Sequence, residues 1–163
     1  VFIAPKAGGA VDAGSAGFTS NGGAWNGLTD VDDAPPWGTR FNLSGGSDGD
    51  WIAWAVALRA GTYRLTFWSF VYDGAGIITF ALNTWGGTQT PVDITDAPYG
   101  ASGGSADCYA AAPVLNQQFD VCDDLVIPAD GQYSIYAYVD GKNPASSGFV
   151  TNLNAILLER ISA

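Results

Sequence analysis

Histidine is absent from the chain, so neither a Ser-His-Asp nor a Cys-His arrangement can be assembled to activate a nucleophile. A serine activated by lysine would need Lys6 or Lys142, and both stand in loop-like sequence without a supporting motif. Paired carboxylates can hydrolyse a glycosidic bond. With 16 acids some pair must fall close together, and the single glutamate, Glu159, sits near the end of an expected strand. No glycine-rich phosphate loop precedes a helix, because no helix is expected. The residue types therefore point away from an enzyme, with no catalytic residues and no cofactor.

Metal and sulfur chemistry are similarly thin. The acid clusters Asp30-Val31-Asp32-Asp33, Asp48-Gly49-Asp50 and Asp123-Asp124 could offer oxygens to calcium, but none has EF-hand spacing. Solvated turn residues that keep an apolar chain soluble are the simpler reading, and no metal is expected. Cys108 and Cys122 are the only cysteines, too few for zinc in the absence of histidine. Both fall in loop-like sequence, where a disulfide would close a ring of about 15 residues and contribute about 3 kcal/mol through chain entropy. Two free thiols are the alternative.

Aromatic side chains are the residues left with something to do. Trp37 and Trp85 lie in loops beside Pro or Gly, placing them as platforms for a sugar ring or anchors for a protein interface; partial burial under a loop is the other reading. A second group, Trp68, Phe70, Tyr72, Tyr136 and Tyr138, lies on strands whose opposite face is already apolar, so their rings must be covered by something, a neighbouring subunit or a ligand.

The elements that hold these rings follow from a period of two. In 51–58, Trp51, Ala53, Ala55 and Ala57 alternate with Ile52, Trp54, Val56 and Leu58. After the Arg59-Ala60-Gly61 turn, the strand 62–72 sets Tyr63, Leu65, Phe67 and Val71 against Arg64, Thr66, Trp68, Phe70 and Tyr72. Asp73-Gly74 turns the chain into a third strand, Ile77–Asn83. Phe119–Ile127, then the turn Pro128-Ala129-Asp130-Gly131, lead to Gln132–Val139, where Tyr133, Ile135, Ala137 and Val139 oppose Ser134, Tyr136 and Tyr138. Phe149–Ile161 is expected as one long closing strand, with Leu153, Ala155 and Leu157 on one face and Ile156 and Leu158 on the other. Phe18, Trp25, Trp37 and Phe41 mark short strands leading into the sandwich.

The expected architecture is all-β, a jelly-roll β-sandwich with an extended Gly/Ala-rich N-terminal arm. Residues 1–24 form the arm or loop, 25–163 a single sandwich, and 84–117 a long loop insertion. The 22 glycines and six tryptophans suit tight turns between aromatic strands, and 163 residues suit one domain. A formal charge of −10 with six basic residues excludes nucleic acid as a partner. No apolar run reaches membrane-spanning length, and no signal-peptide pattern is visible. Val1 could follow a removed initiator methionine, which would make this a complete small protein; a trimmed piece of a longer one is the competing expectation.

Two stretches resemble a known family. Residues 49–70, GDWIAWAVALRAGTYRLTFWSF, resemble the opening of a jelly roll shared by carbohydrate-binding modules and bacteriophage fibre tips, where a W-x-V-x-L-x-A-G-T-Y-x-L strand pair is the common core. Residues 127–161 are similar to the terminal hairpin of tailed-bacteriophage fibre and head-surface jelly rolls, with Gly141, Lys142, Asn143, Ser146, Ser147, Gly148 and Phe149 at the motif positions. Residues 84–117 and their cysteine have no counterpart there. The resemblance implies a viral structural protein on the virion surface. It would be a capsid decoration (cement) subunit, a homotrimer held to the major capsid protein or other virion proteins. The alternative it implies is a tail-fibre or carbohydrate-binding module that recognises host glycans.

Overall fold

The computed structural model describes residues 1–3, 18–20, 25–29, 39–43, 46–84 and 90–163. They form an all-β jelly-roll sandwich, and no helix occurs among them. In chain order the strands are β1 (Phe2–Ile3), β2 (Phe18–Ser20), β3 (Trp25–Thr29), β4 (Thr39–Leu43), β5 (Trp51–Leu58), β6 (Gly61–Val71) and β7 (Ile77–Thr84). They continue as β8 (Val92–Asp93), β9 (Ser105–Asp107), β10 (Val114–Ile127), β11 (Gly131–Val139), β12 (Thr151–Leu153) and β13 (Ala155–Ser162). One sheet has the order β1-β13-β6-β10; the facing sheet runs β2-β5-β11-β7-β8, with β9 also on β7; a smaller sheet joins β12-β4-β3.

The alternation read from the sequence decides which side of each strand faces the core. Ile52, Trp54, Val56 and Leu58 of β5 are buried, as are Tyr133, Ile135, Ala137 and Val139 of β11 and Ile78, Phe80 and Leu82 of β7. Against them the first sheet presents Leu65, Phe67, Leu125, Ile127, Ile156 and Leu158, all buried. Phe67 ties the layers together, its ring 5.3 Å from Phe80 and stacked at 4.9 Å on Phe119. Each buried ring or branched side chain of this size contributes about 1.5–3 kcal/mol through water release.

Two tyrosines lock the hairpin turns by the same device. Tyr63 Oη donates to Arg59 O at 2.9 Å, and Tyr133 Oη donates to Ala129 O at 2.7 Å. Asp130 crosses between the two turns, its Oδ1 accepting from Ala60 N at 2.8 Å. Gly61, at φ +143°, must be glycine: a Cβ there would run into Ser162 O and the Arg160 guanidinium.

The structure departs from the expected elements in several places. The segment 1–24, expected as an arm or loop, is fastened to both sheets where it is described: Phe2 pairs with Leu157, and Phe18 with Trp54. Residues 84–117, expected as a loop, contain β8, β9 and the start of β10. The long closing strand is two. It breaks at Asn154, whose N–H donates to Trp68 O at 2.8 Å, while β12 turns away to pair with β4.

The expected Cys108–Cys122 disulfide is corrected: both thiols are free and buried. Cys122 lies deep inside β10, opposite Leu65 of β6, whereas Cys108 follows β9 at the edge of the other sheet. The chain between them is spent on entering a strand rather than on closing a ring. Burial pushes the Cys108 thiol up to about 12, against a hydrogen bond with Ser69 that pulls it down. Burial raises Cys122 as well.

Native protein should therefore react slowly with Ellman's reagent, and unfolding without reductant should release both of its 2 cysteines as thiols; a bridged pair would release none. The raised Cys108 value also makes stability depend on pH. Below the ordinary value of 9.0, folded and unfolded chains both hold the proton and the contribution is complete; between 9.0 and about 12 only the folded chain does, so stability falls as pH rises. Denaturant titrations from pH 8 upward should show a shallower decline for Cys108→Ala than for the parent.

Candidate functional site: an aromatic groove on the six-stranded side

Trp51 stands at the first position of β5, just after a turn that is tied down on both sides. Asp50 Oδ2 accepts from Ser47 N at 2.8 Å, and Asp48 Oδ1 reaches across to accept from Gly141 N at 2.7 Å. Gly49 N donates to Val139 O at 2.8 Å, and Gly49 itself sits at φ +84°, in the left-handed region that favours glycine. These acids act as turn acceptors, and what they achieve is to hold the start of β5 against the end of β11.

The pairing register then arranges the outer face. Trp51 is opposite Tyr138, and Ala53 is opposite Tyr136, across the β5–β11 ladder. On the other side of β11, Tyr138 is opposite Thr79 and Tyr136 opposite Ala81, while Ala81 meets Asp93 of β8. Small residues therefore alternate with rings along the sheet, which leaves a depression instead of a filled surface. The result is a groove of about 440 Å³ lined by Gly49, Trp51, Ala81, Asp93, Tyr136 and Tyr138, with Thr90 and Pro91 at its edge.

Its rings are held in fixed positions. Trp51 and Tyr136 meet edge to face with centroids 5.2 Å apart at 64°, a favoured geometry for aromatic quadrupoles. Tyr138 Oη donates to Asp93 Oδ1 at 2.6 Å, a short bond of the kind formed to a charged acceptor. Burial in the groove wall, then the hydrogen bond to Asp93 and the charge of that carboxylate, push the Tyr138 hydroxyl well above the ordinary tyrosine value. The groove thus combines apolar ring faces with a carboxylate acceptor. Among the described residues that line it there is a single carboxylate, where glycoside hydrolysis takes a pair.

The expected site residues do not form one platform. Tyr136 and Tyr138 come together in this groove, whereas Trp68 and Phe70 lie on the outer side of the other sheet, and Tyr72, just past the end of β6, stacks on Phe70 at 5.4 Å and packs partly against the core. These rings are half-buried within the single chain. Trp37, Trp85 and the acid cluster 30–33 lie outside the described residues. Asp124 accepts from Ser102 N and Oγ at 2.8 and 3.0 Å, holding a loop. Trp51 and Asp93 were not singled out from sequence. The Trp51 signal was there, since alternation put it opposite the core residues of β5. Asp93, 45 residues from its tyrosine, gave no signal before the register was known.

No family model matches the chain, and no curated protein matches its sequence. Solved structures do share its fold. A xanthan lyase from Paenibacillus aligns with 88% of this chain at a TM-score of 0.63 and 18% identity, and this chain spans 12% of that enzyme's length. The CBM36-1 domain of a multidomain xylanase from the hindgut metagenome of Trinervitermes trinervoides aligns over 100% of this chain and 98% of its own, at a TM-score of 0.55 and 12% identity. TmCBM61, solved with β-1,4-galactotriose, aligns over 97% of this chain and 99% of its own, at a TM-score of 0.50 and 15% identity. The likeness is one of fold: a jelly-roll sandwich of the kind found in carbohydrate-binding modules.

If Asp93 raises the Tyr138 hydroxyl as described, Asp93→Asn should bring that one ionisation to lower pH without restoring the ordinary value, because burial remains. Ultraviolet difference titration at the phenolate band should show the shift, and superimposable curves for parent and variant would contradict the coupling.

Proposed function

We propose that the chain is a non-catalytic saccharide-binding module that holds a neutral glycan in the groove of Trp51, Tyr136 and Tyr138. The observation that carries this reading is the joining, in one depression, of an edge-to-face Trp51–Tyr136 pair with the Tyr138–Asp93 hydrogen bond. A sugar ring has apolar C–H faces and a polar rim. The indole and phenol rings supply the first with a partner, and Asp93, whose Oδ2 accepts no hydrogen bond among the described residues, supplies the second. The groove's volume of about 440 Å³ lies within the ordinary range for small-ligand sites. Fold neighbours that are carbohydrate-binding modules over nearly their whole length support the same reading.

Capsid decoration is the weaker reading. It calls for one broad apolar face to be covered by a neighbouring chain, and the outward rings are instead divided between two sheets. Nothing in the arrangement favours a trimer or a shell protein as partner.

Affinity electrophoresis and titration calorimetry with xylan, β-glucan and β-1,4-galactan, and with their oligosaccharides, test the proposal. Trp51→Ala and Tyr136→Ala should each weaken retention by about tenfold or more, the size expected when an aromatic anchor is truncated. Circular dichroism should show both variants folded. Retention by none of these neutral glycans, or retention indifferent to both substitutions, would rule the groove out.

A further inference from the structure

The outer side of the four-stranded sheet carries a second groove, of about 670 Å³, equipped differently from the first. Alternation along β6 sets Arg64, Thr66 and Trp68 in one row. At about 3.3 Å per residue that row is ~13 Å long, room for a short oligosaccharide. The neighbouring strands complete it: Glu159 of β13 lies beside Arg64, while Asp120 and Gln118 of β10 lie beside Thr66 and Trp68.

These side chains are held by one another. Arg64 Nη1 donates to Glu159 Oε2 at 3.2 Å, and Asp120 Oδ1 accepts from Thr66 Oγ1 at 3.1 Å and from Gln118 Nε2 at 2.9 Å. Among the described residues, Glu159 Oε1, Asp120 Oδ2 and the other guanidinium N–H groups make no hydrogen bond. The groove therefore offers positioned acceptors and a donor fork beside an indole, and a sugar hydroxyl can donate and accept at once. Arg64 is outnumbered by Glu159, Asp120 and Asp123 in the lining, and the whole chain carries −10. An anionic ligand, whether uronate, sulfate ester or nucleic acid, would be repelled.

We propose that this groove is a second saccharide site, taking a neutral oligosaccharide across Trp68 with its hydroxyls on Asp120 and the Arg64–Glu159 pair, so that the module grips glycan on both faces of the sandwich. The proposal rests on the saccharide-binding reading but not on the aromatic groove being occupied.

Calorimetry on the full chain with xylotetraose, cellotetraose and β-1,4-galactotriose, together with precipitation of the matching polymers, tests it. Parent, Trp51→Ala, Trp68→Ala and the double variant should be compared, with Asp120→Asn as a milder change should Trp68→Ala fail to fold. About two sites per chain are expected in the parent and about one in each tryptophan single variant, with polymer cross-linking lost in either. Polygalacturonate should give no heat at low salt. A single site that survives Trp68→Ala and Asp120→Asn overturns the second groove and leaves the first standing. A site lost with Trp68→Ala but kept in Trp51→Ala supports the second groove and removes the first. No binding of any neutral oligosaccharide overturns both.

Discussion

β11 lies between β5 and β7, and its pairing register with both fixes the aromatic groove. Side chains along a strand alternate with a period of two, so a slip of one residue would send Tyr133, Ile135, Ala137 and Val139 outward and drive Tyr136 and Tyr138 into the core. The core holds the register: those four inward residues are buried in the same core cluster as Leu65, Phe67 and Leu125. The turns reinforce it at each end of the strand, through the Tyr133 bond to Ala129 and the Asp48 bond to Gly141. The arrangement of the outer face is therefore a by-product of packing on the inner one. The rings of the groove are placed by residues that never touch it.

The two outer faces are equipped differently. The six-stranded side sets alanines between its rings and presents an apolar depression with one carboxylate at its edge. The four-stranded side sets polar residues between Trp68 and the turn, tied pairwise across three strands. The exposed Arg64–Glu159 pair adds little to stability, as solvent-exposed ion pairs usually do. Its two partners are about half exposed, at 47% and 52%; its effect is to hold two long side chains at defined places. The close approach of Ser162 O that Gly61 allows, and the Asn154 N–H bond to Trp68 O, hold β6 against β13, so this row too is set from beneath.

Much of this was legible in the residues. Wherever a strand runs for eight or more positions with a clean alternation, as in 51–58, 62–72 and 132–139, both its existence and its faces could be read, because periodicity reports burial directly. Strands of two or three residues could not be read. β8 and β9 are too short to show a period and lie among Pro, Gly and Asp. The break at Asn154 was hidden for a different reason: apolar residues flank it on both sides, so the pattern passes through a position where the partner strand changes. The cysteines misled because proximity in sequence was taken for proximity in space, and β10 begins between them. Half of the aromatic groove was visible as Tyr136 and Tyr138; its carboxylate depends on a contact between β8 and β11 that only the three-dimensional register creates.

The indole N–H resonances of the protein provide the most direct test, because neighbouring tryptophans on β5 point to opposite sides. Trp51 lines the groove, while Trp54, 1% exposed, belongs to the core. Titrating a retained neutral oligosaccharide into ¹⁵N-labelled protein should move the Trp51 signal progressively to saturation and leave that of Trp54 in place. A Trp51 signal unmoved by saccharides that the protein demonstrably retains would contradict the assignment of this face as the binding surface.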